Sequence, residues 1–115
     1  MIKDPVVYLD HILENIEVIN TYTKGIKREK FLKFIPVQDV VIRRIQIIGE
    51  AVKNIPAGIK NDYPEVEWRN IAGMRDKLVH DYFEIELDLA WQVVKKDLVV
   101  LKKQVEKIKK DLGGV

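Results

Sequence analysis

The sequence predicts an all-α fold, an antiparallel bundle of four to five helices. Three observations lead there. Apolar residues recur at i, i+3, i+4 and i+7 in nearly every long segment. No stretch alternates apolar and polar residues as a half-buried strand would. The stripes break at Gly25, Pro36, Pro56 and Pro64, residue types that end or open helices. The 115 residues suffice for a packed core without covalent staples, so 1–115 is read as a single helical domain.

The first helix should open at Asp4-Pro5. Aspartate caps the free N–H groups, and proline is preset for the first turn. Its stripe is Leu9, Ile12, Leu13, Ile16 and Ile19, and it should stop near Thr23-Lys24-Gly25. A short helical segment is expected over Arg28 to Phe34. Pro36 opens the second long helix, whose stripe is Val37, Val41, Ile45, Ile48, Val52 and Ile55, widened by Val40, Ile47 and Ala51. Arg44 falls inside this apolar arc, so it either snorkels to an edge or reaches into a subunit interface; the edge is the commoner outcome. Pro56-Ala57-Gly58 should stop that helix, and Asn61-Asp62-Tyr63-Pro64 is turn chemistry. A third helix is expected from between Pro64 and Trp68 to about His80. A fourth should run from near Glu86 to about Asp111, with the seam Leu87, Ala90, Val94, Leu98, Leu101, Val105, Ile108, Leu112, and end at Gly113-Gly114.

Composition removes several classes of function. The chain has no cysteine, which excludes disulfides, thiolate chemistry and cysteine-ligated zinc. No apolar run approaches the roughly 20 residues that span a bilayer. The stretch MIKDPVVYLDHILENIEV has acids among its apolar residues and no small-residue cleavage site, so it does not resemble a signal peptide. A cytoplasmic location away from membranes is expected. No residue cluster calls for a metal or another cofactor.

Charge is unevenly distributed. Lys24, Lys27, Arg28, Lys30 and Lys33 face only Glu29 in their stretch, and the Lys95–Lys110 stretch is lysine-rich. Such segments can hold phosphates, although a solvated helix face is the plainer account of the second. Between Lys60 and Asp88 the balance reverses to four bases against eight acids.

One segment joins a cation, an imidazole, carboxylates and a phenol: Arg75-Asp76-Lys77-Leu78-Val79-His80-Asp81-Tyr82. The other histidine, His11, lies on the polar side of the first helix and is read as solvent-exposed without a role. In an ideal helix Arg75 and His80 point about 140° apart and cannot face one small ligand. Either the helix ends near His80 and lets it swing round, or residues from two copies meet across a two-fold axis. Helical spacing puts Asp76 four residues before His80, where a carboxylate can orient the ring. It also puts Tyr82 within about 20° of the Arg75 direction. On position alone Tyr82 reads as a core or cap aromatic.

The spacing Arg75-x4-His80-x-Tyr82 resembles the R-x4-H-x-Y motif of the HepT-like toxins of the HEPN superfamily. Ile48-Gly49-Glu50-Ala51 resembles that family's second-helix signature, and Tyr63 through Arg75 resembles its approach to the motif. Ile85-Glu86 followed by a helix with Trp91 is similar too, with glutamate where the family often has aspartate. The resemblance implies a helical homodimer with a cleft on the two-fold axis and metal-independent endoribonuclease activity on RNA. Arg75 and His80 would be catalytic, with Asp76 and Tyr82 in support. It further implies a toxin–antitoxin pair, in which a minimal nucleotidyltransferase silences the toxin by adding AMP to Tyr82. The alternatives are a non-catalytic HEPN module that binds nucleotide or regulates a nucleotidyltransferase, and a purely structural helical dimer.

Overall fold

The computed structural model describes residues 4–113. Gly114, assigned above to the stop of the last helix, lies outside them. The elements in chain order are α1 (Pro5–Thr23), α2 (Arg28–Phe31), α3 (Ile35–Lys53), α4 (Ala57–Asp62), α5 (Trp68–Ala72), α6 (Met74–Leu78), β1 (Val79–Asp81), β2 (Glu84–Ile85), α7 (Leu87–Gln92), a π turn (Val93–Asp97) and α8 (Leu98–Asp111). The fold is all-α apart from one very small hairpin.

Helix α1 begins as its sequence requires. The Asp4 carboxylate accepts the Val6 N–H at 2.9 Å, and Pro5 occupies the first turn. At its far end the Thr23 hydroxyl donates to the Ile19 carbonyl, and the chain turns through Gly25 at φ +74°. Helix α2 is shorter than its sequence suggests. The Gln38 side chain donates to the Phe31 carbonyl at 2.8 Å, closing α2 just before α3 starts. The whole α3 stripe from Val37 to Ile55 is buried, as is that of α1 except half-buried Leu13. These two faces meet along most of their length and form the centre of the core. Arg44 settles at the edge of this contact, half-buried, donating to the Asn15 side chain at 3.2 Å.

Pro56-Ala57-Gly58 ends α3 but also starts α4, because proline tolerates the N-terminal edge of a helix as readily as it blocks the interior. Tyr63 then ties this corner to the end of the chain. Its hydroxyl donates to Asp111 at 2.8 Å, and that hydrogen bond to a carboxylate raises the phenol pKa. The Trp68 indole N–H donates to the Tyr63 carbonyl at 3.0 Å and fixes the start of α5.

The last helical rod follows its expected seam from Ala90 to Ile108, all of it buried, while Leu112 is exposed. Its interior holds the π turn, which the seam did not reveal. One extra residue in that turn lets Val93 and Val94, adjacent in sequence, both reach the core. Lys109 closes the rod onto α1 with an ion pair to Asp10 at 2.7 Å.

Gly49 is where α3 meets α5. A Cβ there would lie 3.0 Å from the Ala72 carbonyl oxygen and 3.3 Å from that of Ile71, tighter than a Cβ ordinarily sits, so glycine lets the backbones approach this closely without a shift. Gly58 has nothing within 4 Å of such a Cβ. Gly49→Ala should therefore destabilise the fold by about 1–3 kcal/mol through overpacking against backbone. Gly58→Ala should be neutral or stabilising by up to about 1 kcal/mol. Urea unfolding of the two variants checks this, and equal midpoints would refute the close-approach account.

Candidate active site

The segment expected as one helix to His80 is built from three pieces. Helix α5 ends where its carbonyls cross Gly49, Gly73 makes the joint, and α6 stops at Leu78. Leu78 is fully buried, and the chain beyond it turns outward as an extended strand. The hairpin is closed by the Glu86 N–H donating to the Leu78 carbonyl at 2.8 Å, with Val79 opposite Ile85 and Asp81 opposite Glu84. The Asp81 carboxylate accepts the Tyr82 N–H at 2.7 Å and shapes the tip.

Arg75 is half-buried on α6, and its Nε is buried without a hydrogen-bond partner among the described residues. One terminal nitrogen lies 3.4 Å from the carboxylate of Asp76. That contact is exposed and geometrically poor, so it is a weak restraint on the guanidinium. His80 is exposed on β1. Because α6 ends two residues earlier, the helical angle between Arg75 and His80 does not apply. The helix ends before His80, as the first of the two solutions open to the sequence requires.

Two expectations require correction. Asp76 does not stand one helical turn below His80, since His80 is off the helix; its carboxylate lies against Arg75 instead. Tyr82 does not share a helical face with Arg75, because it sits at the hairpin tip, 89% exposed. The exposure also removes the core-aromatic reading of Tyr82. His11 is exposed on α1, as its position off the apolar stripe requires.

The structure adds a residue that sequence reasoning passed over. Phe83 is 70% exposed beside Tyr82, and the two rings pack edge to face at 5.0 Å. Two adjacent aromatics on no helical stripe, next to Asp81, are the signal that could have marked a turn.

The arrangement can do chemistry on an anion. A half-buried guanidinium stands on a short helix, and an exposed imidazole and an exposed phenol follow on the hairpin that helix feeds. Arginine can hold two oxygens of a phosphate, and imidazole can carry a proton near neutrality.

Comparison with known proteins shows the family. Residues 12–108 match the family model described as "Ribonuclease HepT-like". The chain is 47% identical over 103 residues to a "Probable ribonuclease HepT" of Thermococcus cleftensis, covering 90% of this chain and 94% of that one. It is 42% identical over 106 residues to a "Putative RNase" of Caldanaerobacter subterraneus subsp. tengcongensis, covering 92% and 95%. A "Gamma-glutamylcyclotransferase and putative RNase" of Methanocaldococcus jannaschii is 47% identical over 112 residues, 97% of this chain; the chain spans only 50% of that longer relative. No solved structure matches the chain. Family model and relatives alike cover the motif from Arg75 to Tyr82, and the chain belongs to the ribonuclease HepT-like family.

Proposed function

We propose that this protein is a metal-independent endoribonuclease, the toxin of a toxin–antitoxin pair, with Arg75 and His80 as its catalytic residues. The observation that carries the reading is the end of α6 at Leu78, which takes His80 off the helix and leaves its imidazole exposed beyond Arg75. RNA brings its own nucleophile. The 2′-OH attacks the adjacent phosphorus and His80 takes its proton. The P–O5′ bond breaks, giving a 2′,3′-cyclic phosphate and a 5′-hydroxyl. Arg75 holds the phosphoryl oxygens as charge accumulates on them, with the exposed terminal nitrogens of its half-buried guanidinium. The departing 5′-oxygen needs a proton, and His80 of a second copy across a two-fold axis is the natural donor. Asp76 stands beside Arg75 in a supporting role, through an exposed contact that restrains the guanidinium weakly.

Arg75→Ala and His80→Ala should each reduce cleavage of single-stranded RNA by at least about 10²–10³-fold with helicity unchanged. Cleavage should survive EDTA, and the products should carry cyclic phosphate ends. Undiminished cleavage by His80→Ala would remove it as the general base. Scattering should report a dimer; an active monomer would leave the second proton donor unexplained.

Control of the toxin would fall on Tyr82. Its exposed hydroxyl at the hairpin tip is open to a modifying enzyme, which supports the reading that a cognate minimal nucleotidyltransferase adds AMP there. A phosphodiester at that position would compete with RNA for the motif's cation and block access to it. Co-expression with the nucleotidyltransferase should add one AMP to the peptide containing Tyr82, seen by mass spectrometry, and abolish cleavage. An adducted protein that cuts RNA at full rate would contradict this.

A further inference from the structure

The motif segment is a poor holder of RNA by itself, because residues 60–88 carry four bases against eight acids. An enzyme acting on a polyanion needs cations elsewhere, and the fold collects them beside the motif. Arg28 on α2 forms an ion pair with Asp88 in the first turn of α7. Asp88 follows Glu86 by two residues, and Glu86 is the residue bonded to the end of α6. The surface around α2 therefore begins within one helical turn of the hairpin.

Two basic segments far apart in sequence meet there. The Phe31 ring of α2 packs on the Trp91 ring of α7 at 5.1 Å. Lys95 of the π turn lies over the Trp91 ring at 4.7 Å, and Lys30 lies over Phe34 at 5.2 Å. Cation–π contacts of this kind hold an ammonium group in place while leaving it charged and reachable. Lys24, Lys27, Lys33 and Lys96 are exposed in the same two segments. The acids in the two basic stretches are Glu29, Asp97 and Glu106, and Asp88 beside them is engaged by Arg28.

We propose that α2, the turns flanking it and the π turn form one surface that binds the backbone of single-stranded RNA next to the cut site. This rests on the ribonuclease reading and extends it to where the substrate lies. From Leu87 to Lys95 the rod rises about 12 Å, so the surface would hold nucleotides flanking the scissile one. Lys30, Lys33 and Lys95 supply phosphate contacts, and the motif supplies the chemistry.

The test uses a 2′-O-methyl oligonucleotide, which cannot be cut, and its cleavable RNA counterpart. Binding is followed by fluorescence anisotropy across a salt series. Each phosphate contact to a single strand contributes about 0.7 to the slope of log Kd against log salt. Lys30→Ala/Lys33→Ala/Lys95→Ala should lower that slope by about 2 and weaken binding roughly 10- to 100-fold at 0.1 M salt. On the cleavable RNA, KM should rise with kcat nearly unchanged. A control of equal charge change, Lys53→Ala/Lys60→Ala/Lys110→Ala, lies at the other end of the bundle and should keep the wild-type slope. Lys33→Ala alone, which disturbs no ring, should lower it by about 0.7. Equal slopes for the patch and control variants, or no binding by the wild type, would overturn the proposal. A wild type that binds with the expected slope but cuts nothing would instead overturn the ribonuclease reading and leave the surface standing.

Discussion

The close contact at Gly49 is the constraint on which the candidate site depends. Helices α1 and α3 pair through ordinary aliphatic stripes, and many substitutions of similar size would preserve that packing. The crossing of α3 by α5 is different. It is backbone against backbone, with the Ala72 and Ile71 carbonyl oxygens 3.0 and 3.3 Å from where a Cβ on residue 49 would stand. That approach fixes where α5 ends, Gly73 joins it to α6, and α6 carries Arg75. Leu78 then seats the end of α6 in the core, so the following residues have to leave it.

The hairpin follows from that exit. After Leu78 the chain can neither continue as a helix along the core nor stay inside it, and β1 and β2 provide backbone hydrogen bonds for the few residues that return to α7. His80 is exposed because it stands on this excursion, and Tyr82 and Phe83 are exposed because they turn it. His80 and Tyr82 thus stand where the bundle's helical periodicity gives way to a hairpin. They gain freedom of position and lose the support of a helix.

Much of this was legible in the sequence. The stripes of α1 and α3, the Asp4-Pro5 start and the seam from Ala90 to Ile108 all follow from 3.6-residue periodicity and capping chemistry. The family was legible from Arg75, His80 and Tyr82 with their flanking segments. The local geometry of the motif was not. Val79–Asp81 and Glu84–Ile85 are too short to show alternation, so the helix pattern seemed to run through them. The relations drawn from that pattern, Asp76 with His80 and Tyr82 with Arg75, failed together for this reason. The π turn escaped because its effect is a one-residue shift of face, visible only as two adjacent buried valines.

Charge completes the account. The motif brings one guanidinium in an acidic stretch, while the cations that could draw in a polyanion sit on α2 and the π turn, held over aromatic rings. The central claim is that Arg75 and His80 act on the same phosphate. The chain has two histidines, so their ring protons can be followed separately by NMR, with His11 on the outer face of α1 as reference. Adding a non-cleavable 2′-O-methyl oligonucleotide should shift the His80 signal, leave His11 in place, and produce no such shift in Arg75→Ala. A His80 signal that does not move when the oligonucleotide binds, or that moves equally without Arg75, would contradict the claim.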